Sequence, residues 1–426
     1  MHNKILLKNI IIVDENTQGN GDILISNGVI EDISDDIPVS KANVVIDGGG
    51  RLVACTGLFD MHVHFRDPGF THKEDILTGT SAALAGGVTG VCCMPNTNPQ
   101  IDNAETVKYI IDKAKETGVK VYPVGCITNG LGGAQLCDYE TIKDAGVIAI
   151  SDDGKPVKNA EMLRQALELS KDNGLLVISH CEDMDIIGRG IINKGIVSDE
   201  LGVDGMDRAS EDSITAREIA IANATGARIH IAHVSTKGSL DFIRAAKNIG
   251  VKVTCETCPH YFTYTDEKLL SRDADYRMNP PLREESDRIA ILEGVLDGTI
   301  DCIVTDHAPH TAEEKADFLT APNGVVGLET SLAVTLTQLY HTKKASLSKI
   351  VGLMSARPRQ ILGLPRVSIE IGAPAEITVF DPEKTWTVKP EKLHSKSHNT
   401  VFKGEILKGK VVTVITEGII RYNNID

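Results

Sequence analysis

Two histidines one residue apart, His62 and His64, lie in the segment Gly57-Leu-Phe-Asp-Met-His-Val-His-Phe-Arg-Asp67. On an extended strand successive side chains alternate between faces, so positions 62, 64 and 66 share one. Two imidazoles on one face reach a single divalent cation, and Arg66 on the same parity reaches an anionic group beside it. Four later apolar runs also end in ligand-type residues: Ala149-Ile-Ser-Asp-Asp-Gly154, Leu176-Val-Ile-Ser-His180, Ile229-His-Ile-Ala-His233 and Cys302-Ile-Val-Thr-Asp-His307. Taken singly, His180 or His233 reads as an ordinary core histidine. Gathered in one place, buried imidazoles and carboxylates without partners are costly and need a common reason. Two cations sharing a carboxylate supply it, with His62, His64 and Asp306 on one ion and His180 and His233 on the other. Asp153 is preferred over Asp152 as the shared ligand, because Gly154 turns the backbone out of the strand beside it. His230 has parity opposite to His233 and is expected to face away from the site as a structural residue. Neutral imidazoles with carboxylate oxygens suit zinc, with positions left open for water and substrate.

Residues this far apart in sequence meet only if their strands converge. Eight short strands rich in Val, Ile and Leu are expected at Cys55–His62, Val88–Met94, Val119–Gly125, Gly146–Ser151, Leu175–His180, Arg228–His233, Val251–Glu256 and Ile300–Asp306. Amphipathic stretches between them (Asn103–Thr117, Asn159–Asn173, Ser213–Thr225, Ser239–Ile249 and Arg288–Leu296) read as helices. Alternating strands and helices of this kind predict an α/β protein built on a parallel (β/α)8 TIM-like barrel, whose strand C-termini share one mouth. The doubly wound open sheet is the rival, but its glycine-rich nucleotide fingerprint is absent. The ends of the chain differ. Lys4–Val13, a turn at Asn20-Gly21, Asp22–Ser26, a turn at Asn27-Gly28 and Val29–Ile33 read as short antiparallel strands. Ala375–Phe380, Asn399–Phe402, Val411–Thr416 and Gly418–Tyr422 repeat that style. Neither end has enough strands for its own core. Residues 1–54 and 367–426 are therefore expected to form one small discontinuous β-sandwich domain around a barrel at 55–366.

The chain has 426 residues, 42% of them hydrophobic, and a formal charge of −15. Such an acidic balance disfavours nucleic acid and anionic membrane as partners, while leaving room for a local basic pocket. No basic and apolar leader opens the sequence and no apolar run is long enough to span a bilayer, so the expected location is cytoplasmic. Nine cysteines in a chain of this size do not make a disulfide scaffold. Cys255 and Cys258 form a single CxxC without a second half-site, and with Cys92-Cys93 they are expected to be core.

With these residues in place, the chain resembles the amidohydrolase superfamily, and within it the dihydroorotases whose bridging ligand is Asp instead of a carboxylated Lys. The signatures are Asp60-Met-His-Val-His-Phe-Arg-Asp-Pro-Gly69, Met94-Pro-Asn-Thr97, Ser151-Asp-Asp-Gly154, His180-Cys-Glu-Asp183, Ala232-His-Val-Ser235, Asn279-Pro-Pro-Leu-Arg283 and Thr305-Asp-His-Ala-Pro-His310. The resemblance implies two Zn2+ per subunit, held by His62, His64, Asp153, His180, His233 and Asp306. It implies reversible cyclisation of N-carbamoyl-L-aspartate to L-dihydroorotate in pyrimidine (UMP) biosynthesis, with a water activated between the metals as nucleophile and Asp306 as proton carrier. It further implies that His64, Arg66, Asn96, Asn279, His310, Asn323 and Gly324 contact the substrate. Residues 307–325 then read as a cover over the site. Dihydropyrimidinase (hydantoinase) and allantoinase are the enzymatic alternatives, and both usually carry a carboxylated Lys. A catalytically inactive scaffold for aspartate transcarbamoylase is the alternative of another class. A homodimer and an assembly with aspartate transcarbamoylase are the partner arrangements the resemblance raises.

Overall fold

The computed structural model describes residues 4–424. In chain order its strands are β1 (Lys4–Val13), β2 (Gln18–Ser26), β3 (Val29–Ser34), β4 (Val44–Asp47), β5 (Val53–Thr56), β6 (Leu58–Val63), β7 (Val88–Cys93), β8 (Lys120–Pro123), β9 (Ala149–Ile150), β10 (Leu176–Ser179), β11 (Ile192–Asn193), β12 (Gly205–Met206), β13 (Ile229–Ile231), β14 (Val253–Thr257), β15 (Cys302–Ile303), β16 (Ile377–Thr387), β17 (Ile406–Thr416) and β18 (Ile419–Asn423).

The fold is mixed α/β. Strands β6-β7-β8 form one parallel sheet, and β9-β10-β13-β14-β15 form another in that order. Parallel bridges Gly125–Ile150 and Val63–His307 link the edges of the two sheets. β6, β7 and β10 are buried along their whole length, as strands covered on both faces must be, which explains why their sequences are continuously apolar. Helices Ala104–Ala114, Ala160–Asn173, Ala209–Thr225, Lys237–Asn248 and Glu285–Asp297 fall between these strands. Helix 160–173 shows the local logic. The Asn159 side chain accepts from the N–H groups of Glu161 and Met162, Leu163, Ala166, Leu167 and Ser170 face inward, and Gly174 at φ 70° ends the helix.

Both ends of the chain contribute to a single sheet of order β18-β17-β16-β5-β1-β2-β3, with β4 on β1. Ile5, Leu7, Ile23, Ile25, Ile377, Val379 and Ile415 cluster on it. Three expectations need correction. The expected first strand, Cys55–His62, is two strands in two sheets. Its backbone passes at Gly57, where an added Cβ would lie 2.2 Å from Thr89 Oγ1. Asn20-Gly21 is not a turn but lies within β2, paired with Ile11 and Ile10. Asn399–Phe402 is not a strand but a loop whose first side chain is used elsewhere (below). All nine cysteines are buried and unpaired. Among the described residues no helix is long and apolar enough to cross a membrane.

Candidate metal centre

The six ligand-type residues of the sequence meet at the C-terminal ends of the parallel strands. Asp153 stands among four imidazoles. Its Oδ1 is 3.5 Å from His62 Nε2, 3.4 Å from His180 Nδ1 and 3.6 Å from His233 Nε2, and its Oδ2 is 3.5 Å from His64 Nε2. Asp306 Oδ1 is 3.1 Å from His64 Nε2 and 3.7 Å from His62 Nε2. All six residues are at most 6% exposed. His62 Nε2 and Asp153 Oδ1 have no hydrogen-bond partner.

These separations are mostly too long for hydrogen bonds but match the roughly 3.3 Å edge of a tetrahedron with ~2.0–2.1 Å metal–ligand bonds. Three groups satisfy a ligand geometry among the described residues: His62/His64/Asp153, Asp153/His180/His233 and, behind them, His230/Glu256/Cys302. The donor set therefore fits divalent metal, and Asp153 is common to the His62/His64 and the His180/His233 groups. Asp152, its neighbour, turns away: it accepts from the backbone N–H groups of Ile127 (2.8 Å) and Thr128 (3.1 Å) and from the Thr128 hydroxyl. Burial pushes the Asp152 carboxyl up to about 6. Asp153 is held well below the usual range: burial pushes its carboxyl up, but the surrounding imidazoles of His180, His233 and His62 outweigh that. Lys155 and Lys158, the nearest lysines, are exposed.

Local backbone explains the convergence. Asp60 accepts from His62 N (3.1 Å) and Thr305 N (3.1 Å), tying the end of β6 to the segment that carries Asp306. Arg66, His233 and Asp306 all have positive φ, 60°, 31° and 48°. Such conformations cost ~1–3 kcal/mol each and persist where the surroundings dictate them. Arg66 is consequently not on the strand that the alternation argument assumed, since β6 ends at Val63.

Arg66 has no carboxylate partner among the described residues. Its Nε donates to Pro309 O (3.3 Å) and its guanidinium lies 3.3 Å from His310 Nε2. Burial lowers it to about 10, so it stays cationic at neutral pH. Asp67, its neighbour in sequence, binds Lys113 at 2.7 Å. Asn96 Oδ1 accepts from His64 Nδ1 (2.8 Å), and Asn279 lies near Glu182. His310, pushed down to about 3 by burial and by Arg66 and Lys73, is a neutral ring. It donates Nε2–H to Asn323 O (3.0 Å) and faces Lys73 Nζ at 3.3 Å through Nδ1. Gly324 has φ 144°, and a Cβ there would come 2.7 Å from Ala308 O. The segment 307–325 is stapled in place. Lys315 Nζ donates to Arg277 O, Pro322 O and Gly324 O at 3.0–3.1 Å, and Asn399 bonds His310 N, Ala308 O and Gly324 O.

Sequence reasoning missed the layer behind the ligands. Glu256 Oε1 lies 2.6 Å from His62 Nδ1, and its Oε2 lies 3.1 Å from His230 Nε2. His230 does not face away: it is fully buried and joined to His62 through this carboxylate. Glu182 Oε2 holds His180 Nε2 at 3.1 Å. Signals existed for both, since Glu256 closes the seventh expected strand and Glu182 stands two residues past His180.

The comparisons with known proteins agree. A family model described as dihydro-orotase-like matches residues 50–239. A dihydroorotase of Trichlorobacter lovleyi is 49% identical over 404 residues, covering 94% of this chain and 95% of that protein. A Geobacter dihydroorotase is 48% identical over 422 residues, 98% of this chain and 99% of that one. Among solved structures, the L-hydantoinase (dihydropyrimidinase) of Arthrobacter aurescens superposes with a TM-score of 0.88 at 22% identity, over 99% of this chain and 96% of that one. The dihydropyrimidinase of Brevibacillus agri gives 0.86 at 23% identity, over 99% and 95%. At such low identity the two structures establish the shared fold alone.

Proposed function

The chain belongs to the dihydroorotase family, and from that premise we propose that it interconverts N-carbamoyl-L-aspartate and L-dihydroorotate at the His/Asp cluster. It is a cyclic amide hydrolase. The observation that carries the substrate assignment is Arg66, a cation without a carboxylate partner beside the metal ligands. It suits the carboxylate that distinguishes dihydroorotate from the unsubstituted dihydropyrimidine ring.

His62, His64 and Asp306 would hold one Zn2+, and His180 and His233 the other, with Asp153 shared. Bound there, two cations depress the pKa of a water far below the ~15.7 of bulk and polarise the ring carbonyl. The chain's own groups do the rest. Arg66 and Asn96 take the substrate carboxylate, with Asn279, His310 and the backbone at Asn323 and Gly324 closing around the ring. In ring opening, water attacks the ring carbonyl carbon. Asp306 accepts a proton from that water and delivers it to the amide nitrogen as the C–N bond breaks. In ring closure the carbamoyl nitrogen attacks the side-chain carboxyl carbon, its proton passes to Asp306, and water leaves. Closure turns a dianion into a monoanion and takes up one proton, so acid favours the ring. An inactive scaffold is the poorer reading, since every ligand position is filled.

The same reading extends to the architecture: a closed eight-stranded barrel of β6–β10 and β13–β15, with residues 1–54 and 367–426 as a second β domain. The two bridges joining the parallel sheets support closure. The branching of β1, which pairs with β4 along 5–8 and β5 along 11–13, supports a terminal sheet curling over its own apolar cluster as a sandwich. The functional test is turnover by metal-loaded protein of dihydroorotate against dihydrouracil. Clear preference for dihydroorotate is expected, and equal or greater turnover of dihydrouracil would move the chain to the hydantoinase reading.

A further inference from the structure

The four imidazoles of the cluster are not supported alike. His62 presents Nε2 to Asp153 and has the Glu256 carboxylate on Nδ1 at 2.6 Å. His180 is reversed, presenting Nδ1 to Asp153 and having the Glu182 carboxylate on Nε2 at 3.1 Å. His64 has only the neutral amide of Asn96 behind it, and His233 Nδ1 has no partner. One carboxylate-backed imidazole thus falls in each of the two triads that share Asp153.

A neutral imidazole carries one N–H. A carboxylate on one ring nitrogen draws the hydrogen there and leaves the lone pair on the other, while making the ring a stronger donor. Glu256 is itself fixed. It sits at 0% exposure, its second oxygen meets His230 Nε2 at 3.1 Å, and His230 Nδ1 is anchored 2.7 Å from Thr254 Oγ1. Glu182 is buried, at 7% exposure, with its Oε2 on His180 Nε2.

We propose that Glu256 and Glu182 are positioning residues assigned one to each cation: Glu256 locks His62 in the Nδ1–H tautomer for the ion of His62 and His64, and Glu182 locks His180 in the Nε2–H tautomer for the ion of His180 and His233. This rests on the two-cation reading above. Neither carboxylate touches substrate in the reaction as drawn. Their effect is read in metal binding and not in chemistry.

The test is zinc uptake by apo-protein, titrated against a competing chelator, for wild type, Glu256→Gln, Glu182→Gln and the double variant. Loss of a carboxylate behind a ligating histidine weakens metal binding by about 10- to 100-fold. Each single variant should therefore keep one equivalent at wild-type affinity and weaken the other by that factor, and the double variant should weaken both. A double variant that still holds one equivalent at full affinity would mean both carboxylates serve the same ion. Single variants with two unchanged equivalents would mean they position nothing. Either result overturns the assignment while leaving the two-cation reading intact. Wild-type protein that takes up only one equivalent overturns that reading, and the pairing with it. Should Glu256→Gln fail to fold, Glu256→Asp keeps the buried charge beside His230 while withdrawing the oxygen from His62, and the same loss of one equivalent is expected.

Discussion

Asp152 directs both carboxylate oxygens at Thr128 and the backbone of residues 127 and 128, whereas Asp153 lies within 3.6 Å of four imidazole nitrogens. The two substitutions should therefore fail in different ways. Asp153→Ala should lose bound metal and turnover together. Asp152→Ala should keep its metal but lose ~1–3 kcal/mol of stability through the stranded partners of a buried acceptor. Metal analysis beside urea unfolding separates them, and metal loss in Asp152→Ala alone would reverse the assignment. Asp306→Asn keeps one ligand oxygen and removes the base, so a fall of ~10²–10⁴-fold in kcat with metal partly retained is expected. Near-normal kcat in a metallated variant would end the proton role. At Arg66, breaking a desolvated charge pair costs ~2–5 kcal/mol, or roughly 30- to 4000-fold. Arg66→Met should lose that much kcat/KM for dihydroorotate and change little for dihydrouracil, and a parallel fall for both rings would make Arg66 merely structural. That these candidate ligands come together was legible because each stands at or just past the end of an apolar run. Glu256 and His230 were not, because parity within one strand says nothing about which neighbouring strand supplies a partner.

Elements were legible by type and less so by extent. β5 and β6 read as one strand because both halves are buried and apolar, and periodicity cannot register a change of sheet at Gly57. Asn20-Gly21 carries a turn signal that lost to pairing with β1. The segment 307–325 has no periodicity at all, and inside it one side chain, Lys315, 7% exposed, is bonded to three carbonyls. Burial lowers Lys315 from 10.5 to about 7, with Asp275 and Asp273 opposing and Arg277 and Lys403 adding to the shift. A lysine whose folded pKa lies below its unfolded value binds its proton more readily in the unfolded chain between those limits. Folding stability from this group therefore rises as pH climbs from about 7 towards 10.5. Lys315→Met should remove that slope, so the stability difference, wild type minus variant, should grow in favour of wild type between pH 7 and 9.5 in denaturant titrations. Parallel curves would show that the ammonium is not desolvated as described. The same variant should raise KM more than it lowers kcat, because the freed carbonyls of 322 and 324 flank the Asn323 oxygen that meets His310.

At the scale of the whole molecule, two sets of contacts join the terminal segments to the parallel strands, and they lie at opposite strand ends. At the C-terminal ends, residues 395–399 reach the site loops: Ser395 bonds Glu74, Ser397 Oγ donates to Lys73 O (2.6 Å), and Asn399 anchors Ala308, His310 and Gly324. Nothing in the composition of that stretch announced it, because its role is set by where β16 and β17 leave the chain. At the N-terminal ends, Arg359 pairs with Glu376 and donates to Gly57 O (2.9 Å) and Ser355 O (3.0 Å), while Glu376 also takes Thr89 and Lys120 (2.9 Å). Arg359 and Glu376 are 4% and 6% exposed, so this is a buried ion pair between the side of the parallel strands and the terminal sheet. Removing one member of such a pair costs ~3–5 kcal/mol, because the other charge stays buried. Lys120 remains beside Glu376 but is 58% exposed and replaces little of the lost contact. Arg359→Met should thus fall at the lower end of that range in urea unfolding. Metal content and KM of its folded fraction should stay at wild-type values, since the His/Asp cluster lies at the far ends of the same strands. The reverse pattern, lost metal or raised KM at unchanged stability, would mean that the two strand ends are coupled through the parallel strands, and that the terminal sheet shapes the site from below as well as from above.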